Sequence, residues 1–274
     1  MRYEQLIVEI DDGVAVITLN NPRRQNALSH LTFGDDLPRV TEELTGRADV
    51  RVIVITGADG TFCGGAELDS DGFSRSTEPE TIALIERVNR FPALLRDAPV
   101  PSIAAIDGVA IGGGVGIAAA CDLRVGSPTS RFRIPYVALG LTPDVGITVT
   151  LPQIVGTSRA LDLVLTGRWM EASEAAAAGL LTVVDDDPVG RAMAMARAIA
   201  DSSPLAVSRA RDMIVNAGHR PMTEALFEHE PVSHASTLHA PDRMVHFRRY
   251  LTSVGLMLDA DGRIRRATPS GSPS

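Results

Sequence analysis

A chain of 274 residues with 45 % hydrophobic and 22 % charged side chains can form one large domain, or one domain with a small appendage. Its formal net charge of −8 argues against nucleic acid as the main partner, because phosphate-binding surfaces normally carry a basic excess. The two cysteines, Cys63 and Cys121, form no CxxC motif, which argues against a cysteine metal site and favours a reducing compartment.

The N-terminal residues do not resemble a targeting segment. Met1 to Ile10 contains two glutamates and no long apolar run, which argues against a signal peptide. The apolar runs of the chain are far shorter than a bilayer span requires. We therefore expect a cytoplasmic protein that does not insert into a membrane.

The first predicted elements are a hairpin, a helix and a buried strand. Leu6–Ile10 and Val14–Leu19 are rich in β-favouring residues and are joined by an Asp-Gly turn, which predicts a hairpin. A helix capped by its first residue is predicted over Ser29–Leu44, where Pro38 should kink it or move its start. The nearly continuous apolar run Val50–Thr56 predicts a strand that is buried on both faces.

The polar segment 69–79 is expected to be mobile, and further strands and helices follow it. The pattern predicts a helix, a second buried strand, a glycine triplet that leads into an alanine-rich helix, and short strands alternating with helices up to about Gly167. The approximate bounds are Glu80–Leu95 for the first helix, Ser102–Ile106 for the buried strand, Gly112–Cys121 for the triplet and its helix, and Leu123–Val125 and Phe132–Ile134 for the short strands.

Helices dominate the remainder of the chain. Gly179 is typical of a helix C-cap, and Leu181–Val184 is predicted to be the last strand. The segment Pro188–Tyr250 predicts a series of helices separated by prolines, and the low-complexity tail 267–274 is expected to be disordered. Strands with crossover helices, followed by a helical third, indicate an α/β domain with a helical appendage.

Two glycine-rich loops share one design. Residues 63–67 (CGGAE) and 112–114 (GGG) each follow a predicted buried strand. Small residues allow a backbone to approach a ligand closely, and the second loop presents free N–H groups at a helix N-terminus. Two such donors on one carbonyl oxygen would stabilise an enolate.

Each loop also has a simpler interpretation, because glycines at strand ends commonly make tight turns. A dinucleotide fingerprint is excluded, since the sixth position counted from Gly112 is Ile117. A phosphate-binding loop is excluded because no Gly-Lys-Ser/Thr follows. The two loops gain significance only together with the rest of the chain.

The chain resembles the crotonase, or enoyl-CoA hydratase/isomerase, superfamily over about Leu6 to Tyr250. Six segments carry the resemblance in order: NPRRQNALS (21–29), VIVITGADGTFCGGAELDS (52–70), PSIAAIDGVAIGGGVGIAAACDLRV (101–125), IPYVALGLTPDVG (134–146), LVLTGRWMEASEAAAAGLLTVV (163–184) and HFRRYL (246–251). The resemblance implies a spiral core of ββα turns at 1–187 and a helical trimerisation region at 188–252. Residues 253–274 would then form a tail, and the assembly would be a homotrimer or a dimer of trimers.

The resemblance also implies a site for an acyl-CoA thioester. The backbone N–H groups of Ala66 and Gly113 would hold the thioester oxygen, and Arg23 and Arg24 would face the CoA phosphates, although solvated loop charges explain the two arginines equally well. Coenzyme A would be part of the substrate, with no separate cofactor. The implied substrate and CoA contacts are Arg23, Arg24, Ala27, Gly64, Ala66, Glu67, Leu68, Ile111, Gly112, Gly113, Pro135, Tyr136 and Leu139.

The pattern departs from the family at the two acids of the hydratases. The resemblance places those glutamates at Gly116 and Tyr136 of this chain. Glycine has no side chain, and a phenol with an ordinary pKa near ~10 is a weak base at neutral pH. Classical hydration is therefore not expected.

Asp144 is the acid that remains at a position which other subfamilies use for proton transfer or nucleophilic attack. A helix N-cap is the alternative, since Pro143-Asp144 precedes a predicted helix. Apolar neighbours such as Val137, Leu141 and Val145 are expected to raise the pKa of Asp144.

Other reactive side chains are given structural roles. Cys63 is interpreted as a small packing residue. His229, His234 and His239 are spaced five apart and would spread around a helix, so no metal site is expected.

These observations favour an enoyl-CoA isomerase of fatty acid metabolism, with Asp144 as proton shuttle and an enolate held by Ala66 and Gly113. An atypical hydratase and a thioester hydrolase are the alternatives in chemistry. A catalytically silent acyl-CoA-binding protein is the alternative in class. The acyl group is left open.

Overall fold

The computed structural model describes residues 3–67 and 77–267, which form two compact units divided between Ala200 and Asp201. Leu68, most of the polar segment expected to be mobile, and the tail beyond Ala267 lie outside the described residues. Among the residues that are described, no helix is both long and apolar enough to cross a membrane.

The first unit is built on two sheets. The main sheet has the order β1-β2-β3-β4-β6-β9, in which β1 and β2 form the predicted antiparallel hairpin and the other neighbours are parallel. A smaller sheet has the order β5-β7-β8. The strands are β1 Leu6–Asp11, β2 Val14–Leu19, β3 Val52–Gly57, β4 Ser102–Ile106, β5 Val109–Ile111, β6 Leu123–Gly126, β7 Arg131–Arg133, β8 Trp169–Glu171 and β9 Val183–Val184.

In the described part of the first unit, seven α-helices accompany these strands. They are α1 Leu37–Thr45, α2 Glu78–Asp97, α3 Gly113–Ala120, α4 Ile147–Val155, α5 Thr157–Thr166, α6 Ala172–Ala177 and α7 Pro188–Ala200. A π-helical segment, Thr32–Asp36, precedes α1, and its first N–H is accepted by the Ser29 hydroxyl, as expected for the predicted cap. Pro38 lies in the first turn of α1, directly after this π-helical segment, and the right-handed helical backbone of Asp36 and Leu37 joins the two.

The apolar run of β3 is buried on both faces, as predicted. Ile53 and Ile55 belong to the main core, whereas Val52 and Val54 pack in a second cluster with Ala192 and other α7 residues. Helix α7 covers this face of β2, β3, β4 and β6. The segment from Pro188 to Ala200 therefore belongs to the first compact unit.

The second unit is helical except for a C-terminal hairpin. Its elements are α8 Pro204–Val215, α9 Met222–Glu224, α10 Glu230–Leu238, α11 Arg243–Ser253, β10 Leu256–Leu258 and β11 Ile264–Arg266. The prediction that Leu181–Val184 is the last strand is wrong, because β10 and β11 pair antiparallel. An Asp-Gly turn at Gly262, with φ +74°, joins them, and this turn signal was present in the sequence.

The trimer, or dimer of trimers, stays a prediction. The second unit exposes large apolar side chains on its helices, including Ile214, Met222, Phe227, Val232 and Val245. Exposed large apolar side chains are common at subunit contacts. We expect sedimentation at micromolar concentration to show trimers or hexamers, and a stable monomer would contradict this.

Candidate active site

The two glycine-rich loops meet backbone to backbone. The Cys63 N–H donates to the Val109 carbonyl at 3.0 Å, and the Ile111 N–H donates to the Cys63 carbonyl at 2.9 Å. A Cβ on Gly114 would lie 2.5 Å from the Cys63 oxygen, and one on Gly65 would lie 2.7 Å from the Ile111 oxygen. Glycine is needed at both positions because no side chain fits between the loops.

The backbone N–H groups of Ala66 and Gly113 take no part in the hydrogen bonds between the two loops. Around Ala66, the Leu28 N–H donates to Gly65 and the Glu67 N–H donates to Leu28, at 2.8 and 2.9 Å. Within the described chain, the amides of Ala66 and Gly113 themselves donate to no protein acceptor. Gly113 opens α3, where unsatisfied N–H groups are expected.

Both residues line one pocket of about 120 Å³ in the first unit. Its walls are mostly apolar, and Asp144 is the acid among the described residues that line it. The described residues that line it are His30, Phe33, Ala66, Thr81, Leu84, Ile85, Val88, Gly113, Tyr136, Asp144 and Val145.

The Asp144 carboxylate accepts a hydrogen bond from the Tyr136 hydroxyl. Helix α4 begins after Gly146, which is left-handed, and no side chain caps it. The alternative of Asp144 as a helix cap is therefore not supported. Its carboxylate belongs to the pocket.

Burial raises the pKa of Asp144, and the hydrogen bond from Tyr136 opposes that effect. Burial also raises the pKa of the Tyr136 hydroxyl, with a further contribution from the nearby Asp144 charge. Val145 lines the pocket as predicted, but Val137 and Leu141 are 44 % and 43 % exposed and do not desolvate Asp144. Apolar side chains that come from Phe33 and from α2 take their place.

Comparison with known proteins identifies the family of this chain. The family model for enoyl-CoA hydratase/isomerase matches residues 9–251. The chain belongs to the enoyl-CoA hydratase/isomerase family. It is thus an acyl-CoA-processing enzyme of that family with the crotonase-type fold.

Individual family members agree with this. The "Probable enoyl-CoA hydratase echA8" of Mycobacterium bovis is 32 % identical over 86 % of this chain and 91 % of its own length. The crystal structure of enoyl-CoA hydratase from Bacillus anthracis superposes with a TM-score of 0.84 at 28 % identity, over 91 % of this chain and 97 % of that one. A Thermobifida fusca YX protein assigned as an enoyl-CoA hydratase, solved in complex with CoA, gives 0.78 at 32 % identity, over 85 % and 93 %.

Position 116 has no room for a side chain. A Cβ on Gly116 would lie 2.5 Å from Cβ and 2.8 Å from the carbonyl oxygen of Val145. Val145 adopts φ +49°, a left-handed conformation that is unusual for a β-branched residue. The loop before α4 therefore occupies the space that a longer residue at Gly116 would need.

Several pocket residues escaped the sequence analysis. His30 lies just before the π-helical segment and Phe33 lies within it, and nothing in their local pattern indicated a pocket. Thr81, Leu84, Ile85 and Val88 follow the i, i+3, i+4, i+7 spacing of one helix face. That spacing was readable, but it does not distinguish a pocket wall from core packing.

The remaining predicted contacts lie outside this pocket. Glu67 accepts hydrogen bonds from Gln5 and Asn21 at 2.9 and 2.7 Å and pairs with the exposed Arg24 at 3.7 Å, which ties the loops together. Arg23 is also exposed. Contacts with the CoA portion stay predictions for Arg23, Arg24, Ala27, Gly64, Glu67, Ile111, Gly112, Pro135 and Leu139, whereas Leu68 is outside the described residues.

Cys63 is a packing residue. It is fully buried beside the glycine loop, and this burial raises the pKa of its thiol to about 12. A thiol of that kind is not a nucleophile at neutral pH. Across residues 3–67 and 77–267, no group of three or more histidine, cysteine or acidic residues could hold a metal ion.

Proposed function

We propose that this family member is an enoyl-CoA isomerase that moves a double bond through a thioester enolate, with Asp144 carrying the proton. The observation that carries the proposal is the shared pocket: the carboxylate of Asp144 lies with the unpaired amides of Ala66 and Gly113. A base beside an oxyanion site is what proton abstraction next to a thioester carbonyl requires.

The steps balance without any further reactant. The carboxylate of Asp144 takes a proton from the carbon between the thioester carbonyl and a β,γ double bond. The C–H electrons shift toward the carbonyl, and the amides of Ala66 and Gly113 hold the oxygen that becomes negative. Asp144 then returns the proton to the γ-carbon, which leaves an α,β double bond. The reaction is redox-neutral and needs no separate cofactor. CoA takes part only as a portion of the substrate.

The proposal treats Gly116 and Tyr136 as replacements of the two hydratase glutamates. The space beyond Gly116 is filled by Val145, and Tyr136 is a half-buried, protonated phenol that donates a hydrogen bond to Asp144. A single acid serves a proton shift better than it serves the addition of water, which uses one acid and one base.

In this proposal the acyl group occupies the pocket, and the CoA portion of the substrate extends out of it along the loop 21–28. Arg23 and Arg24 are exposed there, and Arg24 lies 3.7 Å from a Glu67 that other residues already hold. A cationic loop beside an otherwise acidic chain suits the CoA phosphates. The related Thermobifida fusca YX protein, solved in complex with CoA, supports CoA as the ligand class.

Hydration by an unusual arrangement is the second candidate, because the relatives carry hydratase names. In that case Tyr136 and Asp144 would together orient a water molecule. Thioester hydrolysis and acyl-CoA binding without catalysis complete the alternatives.

The experiment that separates these functions uses the wild-type enzyme in deuterated water. With a β,γ-enoyl-CoA we expect conversion to the α,β isomer and deuterium at the α- or γ-carbon, while crotonyl-CoA is hydrated very slowly. Fast hydration of crotonyl-CoA would instead support the hydratase, and release of free CoA would support the hydrolase. Tight CoA-thioester binding without any exchange would show a binding protein.

A further inference from the structure

Tyr136 is a polar pocket residue to which the proton shift gives no role. It follows β7, and its carbonyl oxygen accepts the N–H groups of Leu139 and Leu141, both at 2.9 Å. Its ring lies against Gly112, because a Cβ placed there would be 3.7 Å from both the ring and the hydroxyl oxygen. The hydroxyl is thus fixed next to the residue that precedes the Gly113 amide.

The other end of this loop is also fixed. The Asp144 carbonyl accepts the Ile147 N–H at 3.0 Å, and the next residue, Val145, is buried in a left-handed conformation against Gly116. The hydrogen bond from the Tyr136 hydroxyl to Oδ1 of Asp144 joins the two ends across eight residues. Oδ2 accepts no hydrogen bond from any other residue that the structure describes.

We infer that Tyr136 is the positioning residue of the proton shuttle, which holds Oδ1 of Asp144 so that Oδ2 faces the reacting carbons of the acyl-CoA. The inference rests on the proposed function for its chemistry. A carboxylate with one oxygen anchored keeps its remaining lone pairs in one orientation, which is what proton transfer from the α-carbon to the γ-carbon of the same acyl chain needs.

The same hydrogen bond favours the ionised form of the base. Burial disfavours the carboxylate, whereas a donor on one oxygen favours it, so the two effects on the pKa of Asp144 oppose each other. Burial raises the pKa of Tyr136 and the phenol remains a donor throughout the working pH range. The other titratable groups near this pair are His30, whose charge also lowers the pKa of Asp144, and the buried Cys63, which acts on Tyr136.

The test is Tyr136→Phe, with Tyr3→Phe as the matched control. The Tyr3 hydroxyl also donates to a carboxylate, that of Glu43 at 3.0 Å, but Tyr3 does not line the pocket. For Tyr136→Phe we expect kcat to fall roughly 10- to 100-fold, as for loss of a hydrogen bond to a charged group, and KM to change within a few-fold. The acid limb of kcat/KM should move to higher pH, because Asp144 then takes up its proton more easily. Tyr3→Phe should change neither.

A second variant covers the case in which Tyr136→Phe does not fold. The chain has three tyrosines, so 3-fluorotyrosine incorporated into a Tyr3→Phe, Tyr250→Phe background labels Tyr136 alone. The more acidic phenol is a stronger donor, and the acid limb should move to lower pH. An acid limb that is unmoved in both variants overturns the inference, even if the rate falls, because a purely structural role would lower the rate alone.

A measurement that needs no turnover separates a failure of the positioning role of Tyr136 from a failure of the proposed isomerase reaction. Carbon-13 titration of the aspartate carboxyls, assigned with Asp144→Asn, reports ionisation of Asp144 without any turnover. If the wild type shows no exchange but the Asp144 signal titrates at higher pH in Tyr136→Phe, the proposed reaction fails and the positioning contact stands. If wild-type exchange is present and the titration does not move, the positioning role fails.

Discussion

Asp144→Asn should abolish exchange of the α- or γ-protons of an enoyl-CoA, with a loss of roughly 100- to 10,000-fold, the range of a general base. The amide is nearly isosteric with the carboxylate but cannot accept a proton. Acyl-CoA affinity should stay within a few-fold, because thioester binding rests on the backbone amides of Ala66 and Gly113. Deuterium incorporation followed by mass spectrometry, together with CoA-thioester binding, measures both quantities.

A stability measurement accompanies this prediction. Burial raises the pKa of Asp144, so the folded state holds its proton more tightly than the unfolded state. Stability is therefore lost as pH rises from the unfolded pKa through the raised folded one, and the cost is complete once the pH is above the folded pKa. Asp144→Asn removes that cost, and its Tm at pH 7 should not fall below that of the wild type. Loss of activity in Asp144→Asn would then not be due to loss of the fold.

The control is Asp186→Asn, which changes an exposed acid that does not line the pocket. It should leave exchange and Tm unchanged. Exchange that survives in Asp144→Asn, or fast hydration in both variants, would show that Asp144 is not the proton carrier.

Gly113→Ala should lower kcat roughly 100- to 1,000-fold, the typical cost of one lost oxyanion donor. The added methyl would lie 2.8 Å from Cζ of Phe33 and 3.4 Å from Cγ2 of Val145, so the amide must shift to relieve the contact. Steady-state kinetics with a β,γ-enoyl-CoA measure the loss. Gly218→Ala, where a Cβ meets nothing within 4 Å, is the control for a glycine-to-alanine change.

The clash itself can be tested by a second substitution. Phe33→Leu removes the ring atoms that a methyl at Gly113 would meet, so the double variant should recover part of the rate lost in Gly113→Ala. Phe33→Leu alone should cost little in exchange, because the side chain is a wall and not a donor. If Gly113→Ala is as active as the wild type, the Gly113 amide does not hold the substrate oxygen.

The family of this chain follows from similarity over most of its length, whereas its reaction depends on a few side chains. Family membership follows from the match over residues 9–251. The reaction depends on single positions, since Gly116 and Tyr136 stand where the resemblance expects glutamates. The hydratase names of the relatives describe those proteins, and the proton chemistry proposed for this chain depends on its own Asp144.

Much of the first unit was predictable because its signals are local. The alternation of Leu6–Leu19 with its Asp-Gly turn, the apolar run of β3 and the glycines before α3 each specify a short stretch of backbone. The loops 63–67 and 112–114 were also assigned to one site, since their spacing matched a family pattern. The hairpin of β10 and β11 shows the limit, because its residues were assigned to a tail and its turn signal was overlooked.

The pocket itself was decided by the tertiary structure. His30, Phe33 and one face of α2 meet Asp144 only because strands far apart in the sequence become neighbours in the sheets. Val137 and Leu141, next to Asp144 in the sequence, remain exposed instead. The sequence by itself determined which groups can donate, accept or titrate. Which of them are desolvated, and which amides stay unpaired, depends on the close packing of distant segments, because burial and hydrogen bonding are properties of the assembled three-dimensional neighbourhood.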